Sequence, residues 1–213
     1  MQTRKHLGLA LSAASLLGAA ATGQAAGPFT LNFDGSGATA DLFAPSFLTI
    51  GYGQYVPTLD GFGDPIPGTE HWELDPGAGS VPVLDPSSVG FGAAPSPSKA
   101  LDVRGGPVLL VFDTAYAFES FSATLDNSPF GDLDPSNTAI KFYGASNNLL
   151  FSAAANQTVP GEILNVGAVG AVKSVLLPST AFYDNIVVVP EPSAAVFALG
   201  GLAMLVGLRR RRA

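Results

Sequence analysis

Val108-Leu109-Leu110-Val111-Phe112 and Phe118-Glu119-Ser120-Phe121-Ser122-Ala123-Thr124-Leu125 decide the fold class. The first is a short unbroken apolar run. The second alternates from Phe121 onward, and both are too short for a helix that buries one face, so each predicts a strand. Asp113-Thr114 between them reads as the break that separates two strands.

Outward from this pair the same signal recurs. Phe29–Phe33, 139–143, 149–152, 172–177 and 186–189 are short, apolar or alternating, and bounded by Gly, Pro, Asn and Asp. Seven such segments without a helical period sustained over a dozen residues exclude a parallel βαβ architecture and predict an all-β sandwich. Ile140 and Phe142 are expected on one face and Lys141 and Tyr143 on the other. Gly144-Ala145-Ser146-Asn147-Asn148 is then the loop of a hairpin into Leu149. The stretch 53–98, rich in proline and with Asp-Pro at 64, 75 and 85, predicts a loop-rich excursion with one or two short strands.

Both ends carry a different composition. Arg4 and Lys5 precede an apolar run from Leu7 to Ala21 and the small residues Gly23 and Ala25, so residues 1–26 read as a secretory signal peptide. At the other end, Val189-Pro190-Glu191-Pro192-Ser193 is followed by an uncharged run from Ala194 to Leu208 and then by Arg209, Arg210, Arg211 and Arg212. The prolines delay helix formation to Ser193, and about 22 Å of helix at 1.5 Å per residue predicts a single short transmembrane helix. The arginines form its cytoplasmic stop. Residues 189–213 are therefore expected to be a sorting and anchor segment, with 27–188 an extracellular domain.

Removing the ends exposes the body's charge. Between Gly27 and Val189 four basic residues (Lys99, Arg104, Lys141, Lys173) face sixteen acidic ones, a net charge of −12, against −7 for the whole chain. Such a balance argues against nucleic acid as a partner and favours solubility and cation binding. The chain has no cysteine, which excludes disulfides, thiolate metal sites and cysteine nucleophiles.

The Val189-Pro190-Glu191-Pro192 element, apolar run and terminal arginines resemble the PEP-CTERM sorting signal of Gram-negative bacteria, a tail also grouped as the ice-binding-protein C-terminal segment. The body shows no Thr-x-Thr ladder of an ice-binding face. The resemblance implies handling by an exosortase, a transient C-terminal membrane anchor and delivery to the cell surface or extracellular matrix. Ser98–Asp102, Phe112–Thr114, Phe118–Leu125, the hairpin at 140–152 and Ala181-Phe182-Tyr183-Asp184-Asn185-Ile186 are similar to the jelly-roll bodies of such proteins, which resemble galactose-binding and carbohydrate-binding modules.

In jelly rolls of that type the first and last strands lie together, so Asp34 and Asp184 are candidate ligands of a structural Ca²⁺, their carboxylates giving the hard oxygen donors it takes. The competing reading is that Asp34-Gly35 is an ordinary turn and Asp184-Asn185 a loop cap. Asp132-Leu133-Asp134-Pro135-Ser136-Asn137 alternates oxygen donors but lacks the glycine and distant glutamate of an EF-hand, and reads as a turn. Trp72, beside Glu70, His71 and Glu73 in the loop-rich stretch, is the candidate sugar-stacking residue, the alternative being a Trp that caps the core edge. His71 is the sole histidine after the signal peptide, and nothing selects a pair among the sixteen acids, so no catalytic residue is assigned. The reading is a non-enzymatic surface or matrix protein binding polysaccharide through a calcium-stabilised β-sandwich. A secreted polysaccharide hydrolase or lyase, or a purely structural matrix component, are the alternatives.

Overall fold

The computed structural model describes residues 27–64, 66, 71–90, 98–126, 139–154, 162–179 and 182–191. Residues 27–190 form one compact unit. It is all-β: β1 (Phe29–Leu31), β2 (Leu48–Val56), β3 (His71–Leu74), β4 (Val83–Leu84), β5 (Ala100–Asp102), β6 (Val108–Asp126), β7 (Ala139–Tyr143), β8 (Leu149–Ala154), β9 (Glu162–Val166), β10 (Val169–Leu177) and β11 (Phe182–Pro190). Their order in one antiparallel sheet is β4-β5-β11-β6-β10-β7-β8, with β1 on β11, β2 and β9 on β6, and β3 on β2.

The two segments around Asp113 are one strand. β6 runs unbroken for 19 residues and pairs at its start with β2 and the end of β10, and further on with β11 and β9. The expected break is instead a corner. Val172 of β10 faces Tyr116 and Ser174 faces Val111, so β10 advances by Lys173 alone while β6 spends residues 112–115. Surplus residues in one strand bend the sheet there. Lys173 Nζ closes the bend by donating to the carbonyl oxygens of Phe112 (2.6 Å) and Asp113 (2.9 Å). Asp113 Oδ1 accepts from the Thr114 amide (2.6 Å) and the Tyr116 hydroxyl (2.8 Å), and the Asp113 amide donates to Phe47 O (2.9 Å).

The corner sets the core. Phe142 of β7 lies opposite Val175, which lies opposite Leu110. On a straight strand, Phe121 would stand roughly 37 Å from Leu110 at about 3.4 Å per residue. Yet the Phe121 and Phe142 rings meet at 5.2 Å, edge to face. The sheet must therefore fold back on itself, and its concave face closes around one apolar core containing Leu31, Ile50, Val103, Leu110, Phe118, Phe121, Phe142, Val175, Tyr183 and Val188. Phe112, Phe118, Phe121 and Phe142 are each at most 1% exposed. Burying one such side chain stabilises by about 1.5–3 kcal/mol.

The β7–β8 hairpin has the expected loop, closed by Gly144 N donating to Asn148 O (2.9 Å), with Asn147 at φ 58° in the left-handed region. Ile140 and Phe142 point into the main core, and Tyr143 packs on the opposite side of the sheet with Leu109 and Leu176. Within the stretch expected to be loop-rich lie the end of β2, β3 and β4, so His71 and Trp72 stand on a strand rather than in a loop. Val189 and Pro190 belong to β11, with Pro190 buried opposite Phe118. The signal peptide, Asp132–Asn137, Pro192, the apolar run and Arg209–Arg212 lie outside the described residues. Among those described, no helix is long and apolar enough to cross a membrane.

Replacing Lys173→Met leaves two corner carbonyls without their donor. We expect a loss of about 1–2 kcal/mol in urea unfolding, against less than about 0.5 kcal/mol for Lys141→Met. Equal effects of the two would show that the corner does not depend on the ammonium.

Candidate functional site

β2 leaves its partner β6 at Tyr52 and continues as a ribbon with β3, pairing Gly53 with Leu74, Gln54 with Glu73, Tyr55 with Trp72 and Val56 with His71. The two-residue period of a strand puts Trp72 and Leu74 on one face and His71 and Glu73 on the other. Trp72 and Leu74, with Val111, pack onto Leu109, Tyr143 and Leu176, a patch on the outer face of the sheet. Glycines make room for them. A Cβ at Gly53 would lie 3.3 Å from the Trp72 ring, and one at Gly51 would lie 3.0 Å from Leu74 Cδ2.

Trp72 thus caps a small core, as the competing sequence reading expected, but it does not stand alone. Tyr55 is 50% exposed and meets the Trp72 ring edge-on at 5.6 Å. Trp72 also hydrogen-bonds Tyr143 through its side chain. Burial pushes the Tyr143 hydroxyl up to about 12, against the lowering effect of Trp72, so the phenol stays protonated at neutral pH. On the far face, His71 Nε2 lies 3.0 Å from Glu73 Oε1.

The connection from β2 to β3 is organised by Asp60. Its Oδ1 accepts from the amides of Phe62 (2.8 Å) and Asp64 (3.0 Å), while its own amide donates to Asp64 O (2.8 Å). The Asp64 and Phe62 amides hold its carboxyl below the ordinary range. Gly63, at φ 90°, supplies the turn that L side chains resist. Ile66 N donates to Thr58 O (2.8 Å), and this closed loop presents Phe62 at 95% exposure. Sequence reasoning missed Tyr55 and Phe62; the available signal was two aromatics in a stretch otherwise read as loop.

The first and last strands do lie side by side, β1 pairing with β11. Asp34 follows β1, and its Oδ1 accepts from the amides of Ser98 (3.1 Å) and Lys99 (3.4 Å). Asp184 is wholly buried in β11, opposite Thr124, and its Oδ1 accepts from the Asn185 amide (2.8 Å). One extra residue of β11 relative to β6 makes a bulge there, with Asn185 at φ 46°. The carboxylates of Asp34 and Asp184 are hard donors suited to calcium. The Gly35 and Gly37 carbonyls beside Asp34 already accept from Lys99 Nζ, at 3.2 and 3.0 Å. Among the described residues no three His, Cys, Asp or Glu side chains gather as a metal group.

Arg104 is engaged internally as well. Its Nε and a terminal nitrogen donate to the two carboxylate oxygens of Asp102 at 2.8 Å each, and its guanidinium lies 4.9 Å from the Phe182 ring centroid. Burial acts to raise the Asp102 carboxyl, but the hydrogen bonds and charge of Arg104 outweigh it and hold the group below the ordinary carboxylate range.

Comparison with family models, curated proteins and solved structures gives no match.

A lowered folded-state value means that the Asp102–Arg104 pair stabilises fully above the ordinary aspartate value of about 3.9, and that this contribution is lost as pH falls through the lowered value. Asp102→Asn is expected to cost about 1–3 kcal/mol at neutral pH. Urea unfolding should show the gap between variant and parent closing below about pH 4. A gap independent of pH would mean that the pair's charge contributes nothing.

Proposed function

We propose that this chain is an exported, non-enzymatic surface or matrix protein whose curled sheet is a jelly-roll β-sandwich that binds polysaccharide on the β2–β3 hairpin. One observation carries the binding part: the half-exposed Tyr55 ring set edge-on against Trp72, with Trp72 fixed in turn on Tyr143. An aromatic ring held by its neighbours offers a flat apolar surface at little entropic cost, and the apolar face of a pyranose stacks on it. The resemblance of the Val189-Pro190-Glu191-Pro192 tail and its arginines supports export and processing by an exosortase, with the apolar run serving as a passing membrane anchor.

Calcium belongs to the same proposal as a clip between the first and last strands, held by Asp34 and Asp184. The β1–β11 pairing supports it. A metal that binds only the folded chain raises its stability by mass action.

Two measurements test the proposal. In a pull-down with a panel of insoluble polysaccharides, the parent protein should be retained and Tyr55→Ala should weaken retention about tenfold, the loss typical of a truncated aromatic anchor. Retention of neither form on any polymer refutes the binding reading. Separately, the melting temperature should be higher in calcium than in EDTA, with the difference abolished by Asp184→Asn; identical melting curves for the parent would remove calcium from the account.

A further inference from the structure

We infer that β8 is a docking edge for a second copy of this chain, the two β8 strands pairing antiparallel about a two-fold axis and joining two sheets into one. Among the described strands β1, β3, β4, β8 and β9 each have a single strand partner, so each leaves one side of its backbone open. Folded chains guard such edges by keeping them short or by charging them. β1 has three residues and β4 two, while β3 carries Glu73 and β9 carries Glu162. β8 has six residues, Leu149-Leu150-Phe151-Ser152-Ala153-Ala154, with neither charge nor proline. Its one irregularity lies near its start: a bulge falls between Leu149 and Phe151, and residues 151–154 then run in regular register with 139–142.

The side chains of this edge are open as well as its backbone. Leu149, Leu150 and Phe151 are 54%, 37% and 44% exposed. Yet the strand is continuous with the interior: the Phe151 ring lies 6.1 Å from that of Phe142, and Ala153 packs on the main core. A strand laid beside β8 therefore covers apolar surface and satisfies an open ladder at once. Charge selects the occupant. The body carries −12, so two copies repel over most of their surfaces, across about a Debye length, roughly 10 Å at 0.1 M salt. Residues 139–154 contain Lys141 and no acid, and no charged residue stands between Lys141 and Glu162. At this edge two acidic bodies meet without setting carboxylates against each other, whereas a basic partner would be drawn to the acidic surface instead. A two-fold pair also closes, because each β8 takes up the open side of the other and leaves none for a third copy. So few residues a side make an interface below the roughly 1,200 Å² of stable complexes, and the dimer is accordingly concentration-dependent.

The absence of cysteine allows a direct test on the purified full chain in detergent. In an antiparallel pair related by a two-fold axis one residue of β8 stands opposite its own copy, with Cβ atoms about 4.5–5.5 Å apart. Each neighbour of that residue finds its own copy displaced by two positions, about 7 Å along the strand, too far for a disulfide. Single substitutions Leu150→Cys, Phe151→Cys, Ser152→Cys, Ala153→Cys and Ala154→Cys should therefore give, on mild oxidation, a linked dimer sharply favoured at one position of the series, and Ile163→Cys on β9 should give none. The unsubstituted chain should pass from monomer to dimer with concentration in sedimentation, more readily as salt is raised. Leu149→Glu with Ser152→Glu sets like charges across the pair and should raise the concentration needed at least about tenfold with the melting temperature near the parent's; if that variant melts lower, the cysteine series alone decides. A chain monomeric at every concentration, with no link in the series, would overturn the inference and leave the edge to a strand of another protein. Linking spread evenly over the series and Ile163→Cys, or a dimer untouched by the double substitution, would place the association on another surface and overturn it as well. None of these readouts involves polysaccharide, so this inference and the binding reading stand or fall separately.

Discussion

A single lysine at the corner of the longest strand is the constraint on which the architecture depends. Where β6 turns, β10 contributes one residue where β6 contributes four, and on that side the Phe112 and Asp113 carbonyls lie in the gap of the β10 ladder. Without a donor such groups would make the bend costly, since an unsatisfied polar group in a partly buried place loses its water. Lys173 is the one residue of β10 inside the gap, and it supplies an ammonium with three donors. Everything concave follows from that closure. The second half of β6 swings over the first, Phe121 reaches Phe142, and the sheet closes around the core.

The outer face shows what the same sheet does where nothing folds over it. Leu109, Tyr143 and Leu176 point away from the main core and would lie open. The β2–β3 ribbon turns back to cover them, and the side chains that cover are Trp72 and Leu74. Gly51 and Gly53 matter because they let these two residues sit close against the strand beneath. Covering is incomplete at the ribbon's rim, where Tyr55 stays half exposed. The candidate binding surface is thus a by-product of shielding an apolar patch, and its rigidity comes from that packing.

Strand content was legible in the sequence because alternation and apolar runs are local properties. β6, β7, β8, β10 and β11 all correspond to segments readable by period alone, and the hairpin at Gly144–Asn148 was readable from its turn residues. β2 and β9 were not. Leu48–Val56 contains two glycines and Glu162–Val166 sets Ile163 and Leu164 side by side without alternation, and both become strands by pairing with β6. The corner was hidden for a complementary reason: Asp113-Thr114 has the composition of a break, and only a lysine sixty residues later shows that it is a bend. The adjacency of β1 and β11 followed from the jelly-roll resemblance. The bonds that engage Asp34 with residues 98 and 99 did not, since sequence carries no record of which amide a carboxylate will meet.

The position of β11 has a mechanical consequence. It is the last strand of the body, yet it lies inside the sheet, with β6 along one edge and β1 and β5 along the other. Tension applied through the residues after Pro190 therefore runs along a strand clamped on both sides. It loads those ladders in shear, many hydrogen bonds at once, instead of unzipping an outer strand one rung at a time. A chain tethered by that end would resist tugging and flow far better than its modest size suggests.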